Sequence, residues 1–156
     1  MPSGIGYDLH RLAGGRKLVL GGIEVPFDKG PVGHSDGDVL THAICDALLG
    51  AAGAGDIGTL FPDTDPQWKG VSSLIFLERI GKVLTQRKLH IGHIDVVIVT
   101  EKPKLAPHFP AMREALAKAL HIKPQQINLK AKTNEGVDAI GRGEAIAAHA
   151  IATLEP

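Results

Sequence analysis

A chain of 156 residues with 44% apolar and 22% charged residues has the make-up of one globular domain and excludes disorder. Seventeen basic residues balance seventeen acidic ones, and no Lys/Arg run is long enough to track a phosphate backbone, which excludes a nucleic-acid partner. No apolar run is long enough for a membrane helix, the single Cys45 forms no internal disulfide, and the N-terminus lacks a signal-peptide pattern. The expectation is a soluble, cytoplasmic, single-domain protein.

Three short extended segments come first, over residues 5–10, 17–20 and 23–27, punctuated by Gly14, Gly15, Gly21 and Gly22. A helix is predicted over 36–52, with Ser35 as N-cap and Asp38 at capping-box spacing, stopped by Gly53 and Gly55. A polar loop over 56–70 precedes a second helix over 72–87, whose apolar stripe is Leu74, Leu77, Ile80 and Leu84. Residues 91–100 read as a buried strand, 109–120 as a third helix and 127–132 as another strand. The stretch 144–154 is alanine-rich, which favours helix, but Ile146, Ala148, Ala150 and Ala152 alternate, so it reads as a strand. These elements predict one α+β unit without repeats. The small residues Ala145, Ala147 and Ala148 suit close packing of sheets between subunits.

Asp8 and His10 stand two apart on a strand, so they share a face and can converge on one ion, while Leu9 points into the core. Asp38, His42 and Asp46 are spaced by four along one polar helix stripe, opposite Leu40, Ile44, Ala47 and Leu48. Asp8, His10 and His42 make a three-ligand set, and such sets keep a position open for water or substrate. The competing reading is ordinary polar residues at a strand end and on a helix. Asp38 and Asp46 are candidates to orient the second nitrogen of His42, or else form a solvated helix face. Cys45 reads as a small buried hydrophobe, and His90, His93, His108, His121 and His149 lack ligand-like spacing.

Two further clusters suit anions. Residues 34–38 place backbone amides and the Ser35 hydroxyl at a helix start, although plain N-capping explains them equally. A helix end contributes about 0.3–1 kcal/mol, against the roughly 8 kcal/mol or more that an enzyme must remove from its barrier. Metal ions therefore have to carry much of any phosphoryl chemistry. Lys130, Lys132, Thr133, Asn134 and Glu135 offer two cations, a hydroxyl and a carboxylate able to hold Mg²⁺, or else form a solvated strand end. Arg142, between Gly141 and Gly143, suits a phosphate or a carboxylate on a neighbouring strand.

Read in order, Gly6-Tyr7-Asp8-Leu9-His10, His34-Ser35-Asp36-Gly37-Asp38 with His42, Gly55-Asp56-Ile57-Gly58, Phe61-Pro62-Asp63-Thr64-Asp65, Pro103-Lys104, and Thr133-Asn134-Glu135 with Gly141-Arg142-Gly143-Glu144 form a specific series. Across nearly the whole chain the series resembles the 2-C-methyl-D-erythritol 2,4-cyclodiphosphate synthase family. The resemblance implies a two-layer α/β sandwich, with a mixed sheet and helices on one face, assembled as a homotrimer with active sites between subunits. It implies an enzyme of the non-mevalonate isoprenoid route that cyclises 4-diphosphocytidyl-2-C-methyl-D-erythritol 2-phosphate and releases CMP.

By the same resemblance, Zn²⁺ is held by Asp8, His10 and His42, and Mg²⁺ or Mn²⁺ by Glu135. His34 and Thr133 match positions that stabilise the transition state. Asp8, His10, Ser35, Asp56, Ile57, Gly58, Phe61, Pro62, Asp63, Thr64 and Asp65 match positions that contact the substrate's phosphates and methylerythritol part. Thr100, Pro103, Lys104, Leu105 and Ala106 match the cytidine pocket, and Lys132, Asn134, Glu135 and Arg142 further substrate contacts, with an isoprenoid diphosphate expected on the trimer axis. Lys132 stands where many members carry threonine, and Ala139 where some carry an aromatic residue. Two alternatives stay open: the His₂-carboxylate set also fits a mononuclear Fe(II) oxygenase, and the anion clusters also fit a trimeric diphosphate-binding module without turnover.

Overall fold

From the N-terminus, the computed structural model, which describes residues 1–156, runs through β1 (Ser3–Gly14), β2 (Leu18–Leu20), β3 (Ile23–Val25), β4 (Lys29–Pro31) and α1 (Val39–Ala51). A short α2 (Ile57–Leu60), α3 (Leu74–Gln86), β5 (His90–Val99) and α4 (Phe109–Leu120) follow, then β6 (Ile127–Lys132), α5 (Asp138–Gly141) and β7 (Ala145–Glu155). Five strands form a mixed sheet in the order β4-β1-β7-β5-β6, and β2 and β3 form a separate hairpin. Only β5 and β6 run parallel, and α4 is the crossover that a parallel pair requires.

Helices cover one face of the sheet. Ile94, Val96 and Ile98 of β5 alternate inward with Ile146, Ala148, Ala150 and Ala152 of β7, all buried in one core with the inner faces of α1, α3 and α4. The other face is open, with Ile5 72%, Tyr7 52%, Leu9 47% and Ile151 52% exposed. This is the predicted two-layer arrangement. No helix is long and apolar enough to cross a membrane.

The layers meet most closely where α1 crosses β1. A Cβ at Gly6 would stand 1.8 Å from the Ala43 carbonyl oxygen, and one at Gly4 2.1 Å from that of Ala47. Two strand residues advance roughly 6.6 Å and four helix residues roughly 6 Å. Helix contacts therefore step back one turn from Gly4, which meets Ala47, to Gly6, which meets Ala43. The next inward residue, Asp8, meets the side chain of His42, since helical side chains lean toward the helix N-terminus and so cover the turn before their own Cα.

Several expectations change in detail. Leu9 does not enter the core, because Gly4, Gly6, Asp8 and His10 occupy the row facing the helices, leaving odd-numbered residues on the open face. Residues 145–155 are a strand, paired on both edges by β1 and β5, and small side chains there leave room for α1. Ala148 belongs to that inner face, and Ala145 and Ala147 pack on Ile140 of α5, so these alanines do not form a surface between subunits. β4, α2 and α5 span only three or four residues each, too short to carry a periodic signal.

The close approach makes Gly6→Ala costly: its Cβ meets backbone, so stability falls by about 2–3 kcal/mol, the upper range for overpacking. Gly14→Ala meets nothing within 4 Å and changes stability by about 0.5 kcal/mol or less. Urea-denaturation midpoints of the two variants measure the difference.

Candidate metal centre and substrate cavity

β1 presents Asp8 and His10 toward α1, and the first turn of α1 sets His42 above them. One ligand atom from each of the three lies within 4.8 Å of the others. Asp8 Oδ2 is 2.8 Å from His42 Nδ1 and 3.1 Å from His10 Nε2. The second contact is off the line of a hydrogen bond, so His10 Nε2 is buried without a hydrogen-bond partner. Its other nitrogen, Nδ1, donates to the Val32 carbonyl at 2.9 Å, which leaves Nε2 a lone pair facing the carboxylate. A buried acceptor without a donor is costly, and a cation held by all three side chains removes that cost. Two imidazoles and a carboxylate suit zinc and, on donor chemistry alone, iron.

Burial opposes ionisation of Asp8, but its contacts with His10 and His42 outweigh burial and hold the carboxyl at about 2. The same contact with Asp8 raises His10 above its ordinary value, against burial.

The trio opens into a cavity of about 450 Å³, also lined by Gly33, His34, Ser35, Ile57, Gly58, Phe61, Pro62, Asp63, Trp68 and Phe76. A groove of about 700 Å³ between the C-terminal ends of α3 and α4 is larger. Its Glu78, His90 and His121 do not converge into a ligand group, so the smaller cavity is the candidate site. Three of the six aromatic residues (one Trp, one Tyr, four Phe) wall this cavity: Phe61 stacks on Phe76 at 4.5 Å, and Trp68 meets both edge-on. Their convergence from a loop and a helix has no local sequence signal beyond the scarcity of aromatics elsewhere.

The acidic residues around α1 have other roles than the expected ones. Asp38, not Ser35, caps the helix: its carboxylate accepts from Thr41 N and the Thr41 hydroxyl, and from the Gly21 and Gly22 amides of the β2–β3 turn. It is fully buried, so burial raises its carboxyl, with the charge of Asp36 adding to the effect. The helix cap is thus supplied by the protein's own carboxylate, while His34 and Ser35 line the cavity. Asp46 does not orient His42 either; it accepts from Ile57 N at 2.7 Å and fixes the start of α2. His42 Nε2 instead meets the Ser73 hydroxyl at 2.7 Å and that of Ser35 at 3.2 Å. Cys45 is buried, and its thiol is pushed well above the usual range by burial.

The loop over 56–70 folds onto the cavity through its own acids. Asp56 caps α2 through Thr59, and Asp65 caps the turn Pro66–Trp68 through Gln67. His34 Nε2 donates to the Asp65 carbonyl at 3.0 Å, which ties the loop to the segment leading into α1. Thr64, like Asp56 and Asp65, lies outside the cavity lining.

The remaining candidates lie elsewhere. Thr100, Pro103, Lys104, Leu105 and Ala106 follow β5, and Lys132, Thr133, Asn134 and Glu135 follow β6; none lines the trio's cavity. Glu135 sits at φ 51, a conformation that costs about 1–3 kcal/mol. Glu101 holds it by accepting from the flanking Asn134 and Gly136 amides. Lys130 leaves this cluster for the open sheet face, where it pairs with Asp95 at 2.5 Å. Arg142 pairs with Glu144 on its own turn.

The YgbB family model matches residues 1–155. A 2-C-methyl-D-erythritol 2,4-cyclodiphosphate synthase of Gloeobacter violaceus is 53% identical over 155 residues, 99% of this chain and 95% of the relative. A solved structure of a synthase of that name in a CDP-bound form shares 40% identity at a TM-score of 0.90, covering 98% of this chain and 99% of the other. A CDP complex of the Plasmodium falciparum protein shares 33% identity at a TM-score of 0.88, covering 99% and 96%.

Asp8, lowered from 3.8 to about 2, stabilises the metal-free fold by on the order of 2 kcal/mol. Its folded value lies below its unfolded one, so this contribution is present above about pH 4 and is lost as pH falls toward 2. His10 is raised, so its share is present below 6.5 and is lost as pH rises through the folded value. Chelator-stripped wild type and Asp8→Asn, compared by urea denaturation from pH 2 to pH 8, therefore converge at the acid end.

Proposed function

The chain belongs to the YgbB family, and on that premise we propose that it is a 2-C-methyl-D-erythritol 2,4-cyclodiphosphate synthase of isoprenoid biosynthesis. The observation that carries this reading is full-length identity to a synthase of that name, joined to the convergence of Asp8, His10 and His42. It favours neither the Fe(II) oxygenase nor the binding module without turnover.

In the proposed reaction an oxygen of the substrate's 2-phosphate attacks the β-phosphorus. The bond from that phosphorus to the bridging oxygen breaks, and CMP leaves with the oxygen and its electron pair. No water is consumed and no covalent adduct with the enzyme forms. Such a reaction needs its reacting groups positioned and their charge neutralised. A divalent ion held by Asp8, His10 and His42, with Mg²⁺ or Mn²⁺ on Glu135, supplies that neutralising charge when bound. Thr133 donates to the phosphoryl oxygens as charge develops, and His34 does so from Nδ1 when its ring carries both protons, since Nε2–H is committed to the Asp65 carbonyl. Ile57, Phe61, Trp68 and Phe76 exclude water from the methylerythritol part, and Asp63 accepts from its hydroxyls. Residues 100–106 take the cytidine, with Lys104, Lys132 and Arg142 as the cations of that half.

These two halves support a homotrimer with sites between subunits. β6 lies three strands from β1, roughly 14 Å at the usual strand spacing, too far for Asp8 and Glu135 of one chain to serve a single diphosphate. The uncovered row Ile5, Tyr7, Leu9 and Ile151 is an apolar face suited to packing against another copy.

Incubation with 4-diphosphocytidyl-2-C-methyl-D-erythritol 2-phosphate is expected to yield a cyclic diphosphate and CMP, followed by phosphorus NMR, with loss of product on chelation. His42→Ala is expected to lower the rate at least ~100-fold. No cyclic product from metal-loaded wild type would sink the synthase reading. Co-expression of His42→Ala with Thr133→Ala, each inactive alone, restores about a quarter of wild-type activity if the two halves come from different copies in a closed ring. Sites within one chain would restore none.

A further inference from the structure

We propose that Asp36, acting through the Ser73 hydroxyl, fixes the tautomer of His42 and thereby aims its Nδ1 lone pair at the metal position. Both are positioning residues. The inference rests on the reading of Asp8, His10 and His42 as metal ligands.

Ser73 stands at the N-cap position of α3 yet makes no side-chain cap, since its dihedrals are already helical (φ −65, ψ −15). It is fully buried, and a buried hydroxyl keeps its place through its partners. Both of its donors go to Asp36: the backbone N–H to Oδ2 at 2.9 Å and the hydroxyl to Oδ1. Asp36 is itself held from the α1 side, because Oδ1 also accepts from Asp38 N at 3.1 Å and its own N–H donates to the Val71 carbonyl.

The direction of this chain of bonds follows from the carboxylate, which can only accept. The Ser73 proton therefore points at Asp36, and Oγ is left to accept from His42 Nε2 at 2.7 Å. A ring with its proton on Nε2 offers Nδ1 as a lone pair, and Nδ1 is the nitrogen 2.8 Å from Asp8 Oδ2. The Ser35 hydroxyl, at 3.2 Å from Nε2, is the weaker second contact. It faces the cavity and has no carboxylate behind it. His10 is set in the mirror sense, by the Val32 carbonyl on Nδ1. Each histidine thus has one nitrogen committed to the fold and the other left for the ion, as bound metals favour.

The test is zinc affinity of the stripped full chain, measured by competition with a chelator, together with nitrogen-15 NMR of the imidazoles in the zinc-loaded protein. Ser73→Ala is expected to bind zinc 10–100-fold more weakly and to lose the slowly exchanging Nε2–H of His42. Asp36→Ala, which leaves the Ser73 hydroxyl without the carboxylate that orients it, is expected to do the same. Variants that bind zinc as tightly as wild type and keep that proton overturn the relay, as does a zinc-loaded wild type whose His42 proton sits on Nδ1, a result that needs no variant to fold. Wild type with no zinc affinity overturns the metal reading itself.

Discussion

The backbone contact between α1 and β1 is the constraint from which the rest of the structure follows. Two glycines remove the side chains that would hold helix and strand apart, and the carbonyls of Ala43 and Ala47 occupy the space a Cβ would need. Because a helical turn and a strand dipeptide advance by nearly the same distance, this seating fixes register as well as separation. His42 on the helix then falls opposite Asp8 on the strand, its side chain reaching back toward the helix N-terminus. The alanines of β7 belong to the same arrangement, since they continue the low surface on which α1 lies.

Around that seat, carboxylates act as clamps more than as surface charge. Asp38 joins the helix start to the β2–β3 turn, Asp46 joins the helix to α2, and Asp36 joins it to the start of α3. Each accepts from backbone N–H groups of a different segment, which removes orphan donors from three loops at once. The cavity is consequently assembled from pieces distant in sequence but individually pinned to one helix. Where a carboxylate is not a clamp, at Asp8, it has two imidazole neighbours and no backbone donor, a condition suited to a cation.

Much of this was legible in the sequence because it follows from period. The alternation of Ile146, Ala148, Ala150 and Ala152 identified a strand despite helix-favouring alanines, and the Asp8, His10 and His42 trio was visible from spacing alone. What escaped was set by partners remote in the chain. Ser35 looked like a cap because of its spacing to Asp38, but Asp38 has the stronger set of donors and the helix begins three residues later. Leu9 looked inward because it is apolar, yet the inward row of β1 was decided by glycines that carry no hydropathy signal. Ser73, Trp68 and Phe76 come from a loop end and a helix whose approach to His42 only the folded chain defines. Thr133 and Glu135 were rightly placed at a strand end, but their separation from the trio depends on strand order, which periodicity does not encode.

In the proposed arrangement, with sites between copies, the open face of the sheet would give the molecule a dependence on its own abundance. A separated chain keeps its metal ligands and most of its core, but it leaves Ile5, Tyr7, Leu9 and Ile151 in water and keeps its two functional halves on distant strands. With the halves supplied by different copies, folding and competence become distinct events, the first unimolecular and the second governed by mass action. In that arrangement dilution would silence the protein without unfolding it, and a substitution on the outer face of β1, far from any phosphate, would read in an assay as a loss of turnover.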